Sequence, residues 1–119
     1  MVQSYRDLVA WQKAMELVTE IYRATHSFPK EELFGLMSQL RRAAVSIPSN
    51  IAEGKGRLSK GEFRQFLGNA RGSLAVLETK ILIAQNLSYL DEAETNRLLM
   101  KVEEVGKILN GLISAVKNQ

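Results

Sequence analysis

Leu40-Arg41-Arg42-Ala43-Ala44-Val45-Ser46-Ile47-Pro48-Ser49-Asn50-Ile51-Ala52-Glu53-Gly54-Lys55-Gly56-Arg57 reads as the second half of a long amphipathic helix, with a proline inside it and a basic, glycine-rich exit. Leu33, Met37, Leu40, Ala44, Ile47 and Ile51 recur at steps of three and four, the spacing of one buried helical face. Pro48 has no N–H for the Ala44 carbonyl, and its ring presses on that turn, so helix two is predicted to kink or break there. Either the helix bends around its own core, the commoner outcome in long helices, or the bend shapes a surface for assembly or for a ligand.

Working outward, helix one is predicted from Asp7 to about Thr25. It carries two apolar seams, Leu8, Trp11, Met15, Val18, Tyr22 and Ala10, Ala14, Leu17, Ile21, Ala24. They centre roughly 100° apart on a helical wheel, so the apolar arc is about twice the usual stripe. One side then faces its own bundle, and the other faces the fourth helix or another protomer. The seam with Ala14, Leu17 and Ile21 is assigned to a second protomer.

His26-Ser27-Phe28-Pro29-Lys30 makes the first connection, and helix two spans about Glu31 to Glu53. Helix three opens at Ser59-Lys60-Gly61-Glu62, a capping-box pattern, and runs to about Gln85 over a stripe of Phe63, Phe66, Leu67, Ala70, Leu74, Leu77 and Ile81. Gly61, Gly68 and Gly72 lie roughly opposite that stripe. Each costs a helix about 1 kcal/mol against alanine, so they are read as a place where another backbone or a nucleic-acid strand comes close. Asp91 caps helix four, whose stripe is Leu98, Val102, Val105, Leu109, Leu112 and Val116. No stretch alternates as a strand does. The prediction is all-α: one domain, residues 1–119, folded as an antiparallel up-down-up-down four-helix bundle.

Hydrophobic residues make up 45% and charged residues 24% of the 119, an ordinary globular balance. No apolar run approaches the ~18 residues of a membrane span. The first residues lack the apolar core of a secretory signal, and there is no cysteine, so disulfides, zinc thiolates and thiol catalysis are excluded and a cytoplasmic location is expected. The net charge is +3, but it is uneven: from Arg41 to Lys80 eight Lys and Arg stand against three acids. A basic middle between acidic ends suggests an anionic partner.

No constellation supports catalysis or a cofactor. His26 is the single histidine, with Arg23 where a bundle metal site needs glutamate, so no metal is expected. An arginine–histidine ribonuclease pair would have to be Arg23 and His26, too tight and at a helix end. Ser46 and Ser49 have no histidine partner, and no P-loop, GxGxxG or GxSxG occurs. Phosphate recognition is the chemistry the residues permit. Arg64 and Arg71 lie two turns apart on one face, and Lys55, Arg57 and Lys60 feed that helix, with Arg41 at the near end of helix two. The competing expectation is that Arg41, Arg42 and Arg71 pair with Glu53, Glu62 and Glu78, Arg42 above all.

The segments RRAAVSIPSNIAEGKGR, FRQFLGNARGSLAVLET and YRDLVAWQKAMELVTEIYRATHSFP resemble the 23S rRNA intervening-sequence proteins, small bacterial four-helix bundles. The resemblance runs from about Tyr5 to Leu90 and departs at Val76, where the family pattern favours glutamate. It implies a homopentamer of antiparallel bundles and kinship with the accessory protein of diversity-generating retroelements, a basic pentamer that works with nucleic acid and a reverse transcriptase. It implies no catalytic activity. Together these readings predict a non-enzymatic homo-oligomer presenting basic surface to RNA, DNA or a nucleic-acid-handling protein. The alternative is a structural or adaptor assembly whose cations are internal ion-pair partners.

Overall fold

The computed structural model describes residues 4–117, and among them there are four long helices and no strand. They are α1 (Val9–Thr25), α2 (Leu36–Lys55), α3 (Lys60–Asn86) and α4 (Glu92–Lys117). Each packs on two neighbours in a ring, α1 on α2 and α4, and α3 on α2 and α4. The register descends along one helix as it rises along the next. Ser46 of α2 meets Ser73 of α3, while Gly54 meets Phe66. Arg71 of α3 meets Asn110 of α4, while Leu74 meets Gly106. Neighbouring helices in these pairs are therefore antiparallel, as short connections require. No helix among the described residues is long and apolar enough to cross a membrane.

The core is aliphatic, with Leu17, Ile21, Leu40, Ile47, Ile51, Leu67, Leu77, Ile81, Leu98 and Leu109 almost fully buried. At roughly 25 cal/mol per Å² of apolar surface removed from water, this burial is the main force holding the four rods together. Ala10, Ala14, Leu17, Ile21 and Ala24 form the buried seam of α1. This corrects the assignment of Ala14, Leu17 and Ile21 to a subunit contact: they are spent inside the chain itself. The three alanines thin that face of α1, letting its neighbours approach. The outer seam is the other one, with Met15 and Tyr22 exposed and Trp11 and Val18 half-buried.

Helix two is shorter at its start than the periodicity predicts. Lys30–Glu32 form a 3-10 turn, and Leu33, Phe34 and Gly35 precede the helix, so Leu33 is exposed and off the buried face. The Glu32 carboxylate accounts for this. Its Oε1 accepts the Leu36 N–H at 3.0 Å, serving as a cap for the new helix, and its Oε2 accepts the Tyr89 hydroxyl at 2.9 Å. Gly35 leaves room for that carboxylate, since a Cβ there would stand 2.6 Å from Oε1.

Of the kink and the break expected at Pro48, the break does not occur: α2 continues through it, with Pro48 buried. Side chains add bonds to that turn's carbonyls. Ser49 Oγ donates to Val45 O at 2.8 Å and Asn50 Nδ2 to Ser46 O at 2.8 Å. Helix three starts at Ser59 as predicted, with Ser59 Oγ accepting the Glu62 N–H at 3.1 Å; Glu62 answers by accepting the Ser59 hydroxyl at 3.2 Å. Asp91 caps α4 through the Glu94 N–H at 2.7 Å. Across the bundle, Arg97 of α4 donates to Glu20 of α1 at 2.6 Å and forks onto Glu94 at 3.0 Å. The Arg97 hydrogen bond holds the Glu20 carboxyl below its ordinary value, and those acceptors push the Arg97 guanidinium above its own.

Candidate nucleic-acid interface

The six cations predicted to meet phosphate do not form one patch. Arg41 is committed to the fold. Its Nε donates to Thr25 Oγ1 at 2.9 Å, another guanidinium nitrogen reaches the Tyr22 carbonyl at 3.3 Å, and the group lies 4.5 Å from the Tyr22 ring centre. It thereby satisfies the end of α1, where carbonyls lack intrahelical donors. Thr25 relays that contact inward, donating to the Ile21 carbonyl at 2.7 Å.

Arg57 sits between Glu53 at 3.5 Å and Glu62 at 3.9 Å, over the Phe66 ring at 4.8 Å. Lys55 lies 5.7 Å from the Phe63 ring centre. Arg71 turns to α4 and donates to Asn110 Oδ1 at 3.1 Å. Lys60 is exposed at the head of α3, and Arg64 is exposed with no ionic or hydrogen-bond partner among the described residues. Sequence spacing brought Arg64 and Arg71 to one face, but the partner on α4 separates their roles.

The expected pairing of Arg42 is corrected too. Glu53 and Glu62 both serve Arg57, and Glu78 lies on the α3–α4 side with Arg71, so Arg42 is exposed with no ion pair or hydrogen bond among the described residues. It borders two cavities. On one side is a recess of about 600 Å³ between α1 and α2, where Tyr22, Leu33, Phe34, Met37 and Val45 meet Ser38, Arg41 and Ser46. On the other is a groove of about 590 Å³ between α2 and α3 that takes in Ala43, Ser46, Gly72, Ser73, Val76 and Lys80. Sequence reasoning passed over this second grouping because its members come from two helices thirty residues apart in the chain.

The glycines divide. A Cβ on Gly68 or Gly72 would meet nothing within 4 Å, and Gly61 is nearly as open, so none serves packing within the chain. The tight glycine is Gly54, buried where α2 meets α3, where a Cβ would stand 2.6 Å from Phe66 Cβ and 3.2 Å from the Phe63 carbonyl. Among the described residues no three His, Cys, Asp or Glu converge as a metal site. His26 is exposed.

A solved structure from Bacteroides thetaiotaomicron, described as a protein with unknown function from the S23 ribosomal protein family, superposes with a TM-score of 0.79 at 21% identity. The match covers 88% of this chain and 98% of that one, and at such identity it speaks for the fold alone. No curated protein matches the chain. The family model described as 23S rRNA-intervening sequence protein matches residues 6–111, nearly the whole bundle and all of the SIPSNIAEG segment, and the chain belongs to that family.

Proposed function

We propose that this protein is a non-enzymatic homo-oligomer, a pentamer as the family resemblance implies, that presents basic surface to RNA, DNA or a nucleic-acid-handling protein in the cytoplasm. The observation that carries the proposal is the recess between α1 and α2. Phe34 is 93% exposed there, beside half-exposed Leu33, Tyr22 and Val45, a contiguous patch that a second copy would cover. Gly68 offers a second close-approach face, open within the chain. A ring of copies would repeat Lys55, Lys60, Arg64 and Arg42 around itself, raising affinity for a polyanion through multiplicity. Binding of this kind is backbone-directed and weakens steeply with salt.

The test combines mass and titration. Light scattering on the wild type and on Phe34→Glu should show an assembly and its loss, and the wild type should bind a generic RNA with affinity that falls steeply with salt. A stable monomer indifferent to polyanions overturns the proposal. A second reading, a purely structural or adaptor assembly, draws on the partners already taken by Arg41, Arg57 and Arg71. It predicts the same mass and no RNA binding.

A further inference from the structure

We infer that the groove between α2 and α3, walled by Arg42 and Lys80, is where the protein holds the phosphodiester backbone of a nucleic-acid strand. This rests on the nucleic-acid reading above and names the place on the chain that such binding would use. The first observation is charge. Arg42 on α2 and Lys80 on α3 line one groove, neither has an ion pair or hydrogen bond among the described residues, and no acidic side chain lines it. Lys80 is half-buried and Arg42 exposed, and both are long side chains that can lay their stems along the groove and keep their charged heads at its mouth.

The second observation is a surplus donor. Ser46 Oγ and Ser73 Oγ stand 2.7 Å apart across the groove, and Asn50 Nδ2 donates to Ser46 Oγ at 3.1 Å. One hydroxyl proton is consumed by the serine–serine bond. Whichever serine donates it, the other serine's proton has no acceptor among the described residues, and the Asn50 amide is already a donor. The groove therefore offers two cations and an O–H, and the group that answers all three is an anionic oxygen cluster such as a phosphate.

The third observation is shape. Gly72 forms part of the wall with nothing within 4 Å of where a Cβ would be, so a ligand can lie against the α3 backbone. Further along the same two helices, beyond the groove itself, lie Asn50 and then the turn, where Lys55 and Lys60 stand beside the Glu53–Arg57–Glu62 cluster. A small anion would use one end of this track. A strand would use its length, which favours a polyanion over a free phosphate.

The experiment compares Arg42→Gln/Lys80→Gln, Val76→Glu and, as a control on α4, Lys101→Gln with the wild type. Fluorescence titration of a single-stranded RNA oligonucleotide across salt gives affinity and slope, light scattering gives mass, and pyrophosphate serves as the small-anion probe. Losing two phosphate contacts should lower the salt slope by about 1.4 and the affinity roughly tenfold or more at low salt. Val76→Glu, which puts a carboxylate on the exposed wall of the groove, should weaken binding similarly. Lys101→Gln should bind as the wild type does, and all four proteins should keep one mass. Undiminished binding by the double variant and by Val76→Glu, with the wild type still binding, overturns this inference and leaves the broader reading standing. A change of mass with unchanged RNA affinity assigns the groove to a subunit contact and also overturns it. Pyrophosphate binding as tight as the oligonucleotide's makes it a small-phosphate site and overturns the strand. A wild type that binds no RNA at low salt removes direct nucleic-acid binding from the broader reading, and the groove's strand with it.

Discussion

Gly54 and Phe66 approach so closely across the α2–α3 contact that the space for one methyl group is missing: a Cβ on Gly54 would stand 2.6 Å from Phe66 Cβ. Alanine is the better helix former by about 1 kcal/mol, but here the clash involves the root of a side chain and a backbone carbonyl, neither of which can swing away. Gly54→Ala is therefore expected to destabilise the bundle by about 1–3 kcal/mol, read as a fall in the chemical denaturation midpoint. A midpoint at or above the wild type's would show that α3 can shift to accept the methyl.

Gly68 and Gly72 provide the opposite case. Both sit in a helix with open space before them. A monomer should gain helix stability from Gly68→Ala, up to about 1 kcal/mol. Gly68→Leu should instead reduce oligomer mass if this face meets a neighbour, and an unchanged mass by light scattering would remove Gly68 from any interface.

Arg41, which its charge alone would assign to phosphate, holds the end of α1. Its removal should appear in stability more than in binding. Because the group is only half-buried, the two bonds are discounted to about 1 kcal/mol in total. Arg41→Ala should lower the melting temperature by a few degrees and leave the salt slope of RNA binding unchanged. A slope that drops with unaltered melting would return Arg41 to the binding surface.

Acid should loosen the bundle in a defined way. The Leu36 N–H and then the Tyr89 hydroxyl hold the Glu32 carboxyl below its ordinary value, and Arg97 does the same for Glu20. A carboxyl whose value is lowered on folding contributes stability that is present above the unfolded value, about 4.3, and is lost as pH falls through the folded one. The Tyr89 hydroxyl runs the other way. Its bond to Glu32 raises it, so its contribution is present below its unfolded value, about 10, and is lost as pH climbs through the raised one. Denaturation midpoints measured from neutral to acid pH should show a shallower decline in Glu32→Ala than in the wild type. Equal slopes would mean that the Glu32 cap carries no linkage.

Much of the fold was legible in the residues, because apolar spacing reports directly on which helical face is buried. The stripes of α3 and α4, the caps at Ser59 and Asp91 and the α3 boundaries follow from local chemistry alone. The start of α2 does not, since Glu31, Glu32 and Leu33 suit a helix, whereas the Glu32 carboxylate caps Leu36 and accepts the hydroxyl of Tyr89, far along the chain, so the helix begins at Leu36. The two seams of α1 posed a choice that periodicity leaves open, and the wrong one was sent outward. The candidate site was less legible still. Sequence gives the sign of a charge and not its partner: Arg41 and Arg71, open to phosphate or to carboxylate, meet Thr25, Tyr22 and Asn110 instead, while Arg42, expected above all to pair, has no ion pair or hydrogen bond among the described residues. The tight glycine was likewise Gly54 and not one of the three on α3, because closeness depends on the neighbouring helix.

The α2–α3 contact also bears on how the chain acquires its shape. These helices share the most extensive packing in the molecule and are joined by a turn of a few residues, so pairing them closes a small loop. The link between α1 and α4 through Glu20 and Arg97 spans 77 positions and costs more chain entropy to close. Refolding is thus expected to nucleate at the Gly54–Phe66 seam, with φ-values high there and low at Glu20, so that the molecule zips from its middle and its two ends dock last.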